Sequence, residues 1–161
     1  MIKLRIALFS TLLCATALVA QRSPEPKPKV VFVCEHGAAK SVLAAAEFER
    51  MAKQRGLAVS VIARGTNIDP ELAPSVVKGL RADGLTPSLA KPVKADAADF
   101  VGAAKVVTFG PDLAPLMPTG KHALDWSATP SPGKDYQAAR DHIREQLSTL
   151  LSQMEAEAKR K

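Results

Sequence analysis

Val30-Val31-Phe32-Val33 is an unbroken apolar run that stops at Cys34, and a helix-favouring stretch begins at Ser41. The run suits a strand buried on both faces. Between the two lies Glu35-His36-Gly37-Ala38-Ala39-Lys40. A strand that turns through so short a loop into a helix N-terminus leaves few folds open. It also makes a chemical site. The backbone N–H groups of such a loop can curl around a tetrahedral oxyanion. Gly37 and the two alanines permit close approach of the backbone. Lys40 and the helix N-terminus favour the thiolate form of Cys34. The hydroxyl of Ser41 is placed to donate to that thiolate. The same loop would then hold a phosphate-like group while the sulfur attacks it.

The rest of the body alternates strands and helices. From Ser41 to about Gln54 the chain is rich in Ala, Leu, Glu and Met, and Gly56 closes the helix. Residues 59–63 read as a second strand, ended by Gly65. Pro74 opens a helix that stops at Asp83-Gly84. The stretch from Thr86 to Val93 carries Pro87 and Pro92 and reads as a short strand with loops. A short helix is expected over 96–103, a strand over 105–109, and a last short strand over 122–126. From Asp135 onward Tyr136, Ala139, Ile143, Leu147, Leu150, Leu151 and Met154 recur at helical spacing. The alternation predicts one α/β domain with a parallel sheet, whose ligands bind beyond the carboxyl ends of the strands.

The segment Val30–Ser41, Cys-x5-basic-Ser at a strand–helix junction, resembles the phosphate-binding loop of the low-molecular-weight protein tyrosine phosphatases and of the arsenate reductases that share their fold. The resemblance runs on through the Ala-rich helix, Ala63-Arg64-Gly65-Thr66, Val106-Val107-Thr108-Phe109, Trp126 and Asp135-Tyr136. It implies a three-layer α/β fold, a four-stranded parallel sheet with helices on both faces. It implies Cys34 as nucleophile, with Lys40 and Ser41 in the catalytic set and Glu35, His36, Gly37, Ala38, Ala39 and Lys40 as the oxyanion cradle.

Three positions depart from that pattern. The family has Arg where this chain has Lys40; Arg offers a planar fork to two oxygens and Lys a point charge. Its phosphatases often carry Asn at the position of Gly37. Its general acid is an Asp directly before Pro, whereas the loop here reads Ser127-Ala128-Thr129-Pro130-Ser131-Pro132. Asp125 and Asp135 flank the loop, and Asp125 is the candidate substitute. Asp69-Pro70 has the right dipeptide but follows the second strand. Arg64 either lines the pocket or is solvated, and His36 is either a surface loop residue or a proton relay.

The net charge of +6 does not mark a nucleic-acid binder, because residues 30–158 hold 14 basic and 15 acidic residues. The excess sits at the ends, in Lys3, Arg5, Arg22, Lys27 and Lys29 and in the tail Lys159-Arg160-Lys161. Aromatic residues are 4% of the chain, too few for a base-stacking platform. Lys3 and Arg5 precede an apolar or small-residue run over 6–20, followed by candidate small-residue exits at Ala15-Thr16-Ala17 and Ala20. This reads as a signal peptide over 1–20 and a Pro-rich tether over 21–29, ahead of the domain over 30–158. The expected location is periplasmic or secreted; a retained N-terminal anchor is the alternative. Cleavage would leave Cys34 as the sole thiol and no stable membrane association. Cys34 and His36 are too few ligands for a metal, and no cofactor is expected.

Three functions fit these residues. One is a cysteine phosphatase acting on a phosphorylated small molecule or phosphoprotein. The second is an arsenate reductase that draws on an external thiol, since the thioredoxin-linked relay needs further cysteines. The third is a non-catalytic module that binds oxyanions such as phosphate or arsenate.

Overall fold

The computed structural model describes residues 26–160. The expected signal peptide over 1–20 and most of the expected tether over 21–29 lie outside them. Eight elements follow in order: β1 (Lys29–Cys34), α1 (Lys40–Gln54), β2 (Ser60–Gly65), α2 (Pro74–Ala82), α3 (Ala97–Phe100), β3 (Ala103–Thr108), β4 (Leu124–Asp125) and α4 (Tyr136–Ala158). The sheet has four strands in the order β2-β1-β3-β4, all parallel. The expected α/β architecture is therefore present.

β1 is central, and its side chains alternate between two cores. Val30, Phe32 and Cys34 face the larger core with α1, α2 and α4, where Val42, Phe48, Leu80, Ile143 and Leu147 are fully buried. Val31 and Val33 face the smaller core with Phe100 of α3, Val106 and Leu113. An uninterrupted Val/Phe run is what a strand covered on both faces requires. The cover is lopsided: three helices lie on one side, against one short helix and the loop over 111–123 on the other.

Two expectations need correction. Residues 86–93 form no strand; the only sheet contact there is the bridge between Gly65 and Lys94. The short helix spans Ala97–Phe100 alone, started by a capping box in which Asp96 and Asp99 each accept from the other's end of the turn. The two prolines remove donors from 86–93, which disfavours strand pairing. Among the described residues no helix is long and apolar enough to cross a membrane.

One polar group is locked inside the larger core. Glu47 of α1 is fully buried and accepts from Arg50 at 2.7 and 2.9 Å and from Arg144 of α4 at 2.8 Å. Both arginines remain part-exposed, and the carboxylate between them ties α1 to α4. Glu47→Ala leaves both guanidiniums without that anion and opens space in the core. It is expected to lower stability by about 3 kcal/mol, read as a shift in the urea midpoint at unchanged slope.

Candidate active site

The site is the turn between β1 and α1, at the carboxyl edge of the sheet. Cys34 is the last residue of β1 and is nearly buried. Its Sγ lies 3.1 Å from Oγ of Ser41, which is fully buried. Ser41 is the second residue of α1 and not its cap. The N-cap position belongs to Ala39, and no side chain caps the helix. The Ser41 hydroxyl is thus committed to the sulfur, where it can donate to a thiolate.

The loop is held from behind by its carbonyls. The backbone N–H groups of Thr66, Asn67, Asp69 and Ala73 donate to the carbonyls of Cys34, Glu35, His36 and Ala38, at 2.8 to 3.3 Å. Among the described residues, the N–H groups of Glu35 through Val42 donate to no group of the chain; the first to do so is Leu43, to Ala39. Unpaired donors facing a loop and the first turn of a helix form an anion cradle. The partial positive charge of the α1 N-terminus adds to it. Lys40, half-buried at the first position of α1, makes no ion pair among the described residues.

Gly65 is the residue that the sequence did not single out. It ends β2 in register with Cys34. A Cβ there would lie 2.5 Å from N and 2.7 Å from Cα of Gly37, and 2.9 Å from the carbonyl carbon of His36. The two backbones can meet only because both residues are glycine. Gly37 also has φ of +63°, a left-handed conformation that side chains resist. A glycine closing a strand opposite the cysteine was the available signal.

The remaining candidates separate. Glu35 and His36 are exposed on the outer rim. His36 Nδ1 is 3.3 Å from Asp69 Oδ1, and Nε2 is 3.8 Å from Glu35 Oε2. Arg64 pairs in register with Val33, on the face away from Cys34, and bonds Asp99 through Nε and Nη2 at 2.9 Å each. It anchors α3 to β2 and does not line the loop. Asp125 ends β4 and accepts from the Ser127 backbone N–H at 2.8 Å. That bond, with one from the Ser127 hydroxyl, holds its carboxyl below the usual carboxylate range. Hydrogen bonds that favour the ionised form work against proton donation by this group. Asp135 is spent as the N-cap of α4, accepting from Ala138. Trp126 is a core residue, 6.0 Å from Phe32 and 5.9 Å from Phe109 between ring centroids. Thr129, before Pro130, is 3% exposed, and its hydroxyl has no partner.

Solved structures with this fold are numerous. The thioredoxin-dependent arsenate reductase of Corynebacterium glutamicum superposes with a TM-score of 0.71 and 28% identity, over 84% of this chain and 65% of that one. This chain therefore spans about two thirds of that protein. The arsenate reductase of Archaeoglobus fulgidus gives 0.59 and 27%, over 76% and 98%. The low-molecular-weight protein tyrosine phosphatase of T. tengcongensis gives 0.61 and 17%, over 79% and 99%. The fold is that of the low-molecular-weight phosphatases and these arsenate reductases. No protein-family model matches the sequence, and no curated protein matches it.

Proposed function

We propose that the protein is a cysteine-dependent phosphatase of low-molecular-weight phosphatase type, acting on phosphate monoesters outside the cytoplasm. The observation that carries this reading is the pairing of Cys34 with Ser41 at the root of a loop whose N–H groups are all unspent. The loop amides and Lys40 would hold the three phosphate oxygens. The Cys34 thiolate would attack phosphorus, displace the leaving oxygen and form a thiophosphate. Water would then release phosphate and restore the thiolate, which the Ser41 hydroxyl stabilises. The extracytoplasmic location rests on the basic start and short apolar run of residues 1–20. The test is hydrolysis of an aryl phosphate by the reduced protein, with vanadate as inhibitor. Turnover that vanadate blocks supports the reading; a folded, reduced protein without turnover defeats it.

Arsenate reduction is the second reading, because two of the structures at 27–28% identity are named arsenate reductases. Residues 26–160 contain no cysteine besides Cys34. An intramolecular disulfide relay within the domain is therefore impossible, and a small external thiol would have to reduce the Cys34–arsenic adduct. Arsenite production that needs both Cys34 and added thiol is its distinguishing result. Phosphate binding without either turnover would point to the non-catalytic module instead.

Lys40 sets a further expectation. An ammonium meets the oxyanion as a point charge, whereas a guanidinium grips two oxygens in a fixed fork. Lys40→Arg is expected to lower the vanadate inhibition constant by about tenfold, the equivalent of one added charge-assisted hydrogen bond. Inhibition curves for the two proteins check this, and an unchanged constant would place Lys40 outside the cradle.

A further inference from the structure

We infer that His36 is the proton donor to the leaving group, positioned by Asp69; the inference rests on the phosphatase reading above. The site needs such a donor, and the nearby carboxyl groups do not supply it. Asp125 accepts from the Ser127 backbone N–H at 2.8 Å, a bond that favours its ionised form. Asp135 caps α4. Thr129 stands before Pro130 with only a hydroxyl, which has no acidic proton to give near neutral pH.

His36 belongs to the loop itself, two residues after the nucleophile. Asp69 grips it twice. The Asp69 backbone N–H donates to the His36 carbonyl at 3.0 Å, and the Asp69 carboxylate lies 3.3 Å from Nδ1. A carboxylate at Nδ1 fixes the ring's orientation and favours a proton there, which leaves Nε2 as the outward working atom. Glu35 is the other charged group near the ring, 3.8 Å from Nε2. For this role Nε2 must reach the mouth of the cradle, where the alcohol half of a bound monoester leaves; the side chain is 53% exposed on the rim of the loop.

The chemistry balances. The Cys34 thiolate forms the S–P bond as the bond from phosphorus to the leaving oxygen breaks. The electron pair stays on that oxygen, which takes the proton from Nε2 of the imidazolium. The neutral imidazole then removes a proton from the attacking water. The new O–P bond forms, the P–S bond breaks, and phosphate leaves with thiolate and imidazolium both restored. The sum is monoester plus water giving alcohol plus phosphate.

The experiment compares two substrates in the full reduced protein. Phenyl phosphate has a poor leaving group that needs the proton, and 2,4-dinitrophenyl phosphate has one that does not. His36→Gln is expected to lower kcat on phenyl phosphate by about 10²-fold or more while the dinitrophenyl ester loses far less. Asp69→Asn should show the same split at smaller size, because Nε2 remains but the ring is no longer held. The activity that survives on the dinitrophenyl ester shows that each variant is folded. Equal loss on both substrates, or no loss on either, would overturn the assignment while leaving the phosphatase reading intact. Absence of turnover on both substrates in the unaltered reduced protein would instead defeat that reading, and this assignment with it.

Discussion

Cys34→Ser should abolish turnover, with a fall in kcat of at least about 10⁴-fold, while phosphate binding survives or tightens. Serine keeps the size of the side chain and can still exchange a hydrogen bond with Ser41, which sits 3.1 Å from the sulfur. What it loses is nucleophilicity, since an alcohol is scarcely ionised where a thiol is. The loop N–H groups and Lys40 are untouched, so the cradle stays. Calorimetry with inorganic phosphate beside an aryl phosphate assay reads both halves. Residual turnover in the variant would mean that another group does the chemistry.

Gly65→Ala should be the most damaging change outside the loop itself. Its new methyl would fall within 2.9 Å of three backbone atoms of His36 and Gly37. Backbone cannot rotate aside as a side chain does, so either the loop or the end of β2 must shift. The loop is the easier to displace, because β2 is held in register to β1 along Ser60–Gly65. A displacement of about 1 Å in a catalytic loop costs on the order of 10²-fold in kcat/KM. Stability should fall by only about 1–3 kcal/mol. Activity lost well beyond stability is the expected signature, measured by the same assay beside a urea titration. The companion Gly37→Ala suffers a further penalty from the positive φ at that position.

Much of the fold was legible because its signals are local. The Val30–Val33 run, the Ala-rich helix, Pro74 at the start of α2 and the stripe of α4 each carry their period or cap within a few residues. The segment over 86–93 was not, because apolar residues between prolines look like a strand to any local reading. The partner that would have decided the matter is absent from the sequence neighbourhood. Arg64 was undecided for the same reason, and the tie of Asp125 to Ser127 shows only in the folded chain. A strand-end charge points to one face or the other, and only the register of β1 with β2 puts Arg64 behind the sheet.

The spacing from Cys34 to Ser41 by itself marked the candidate site. A nucleophile, a glycine-bearing loop and a helix N-terminus are consecutive in the chain and need no distant residue to be recognised. Tertiary structure alone decided what holds the loop open. The segment over 66–73 draws the loop carbonyls outward, Gly65 yields room for Gly37, and Asp69 takes hold of His36. These contacts join residues about 30 positions apart. They exist because β2 lies beside β1 in the sheet, a pairing that hydrogen bonds and burial select and that no local pattern spells out.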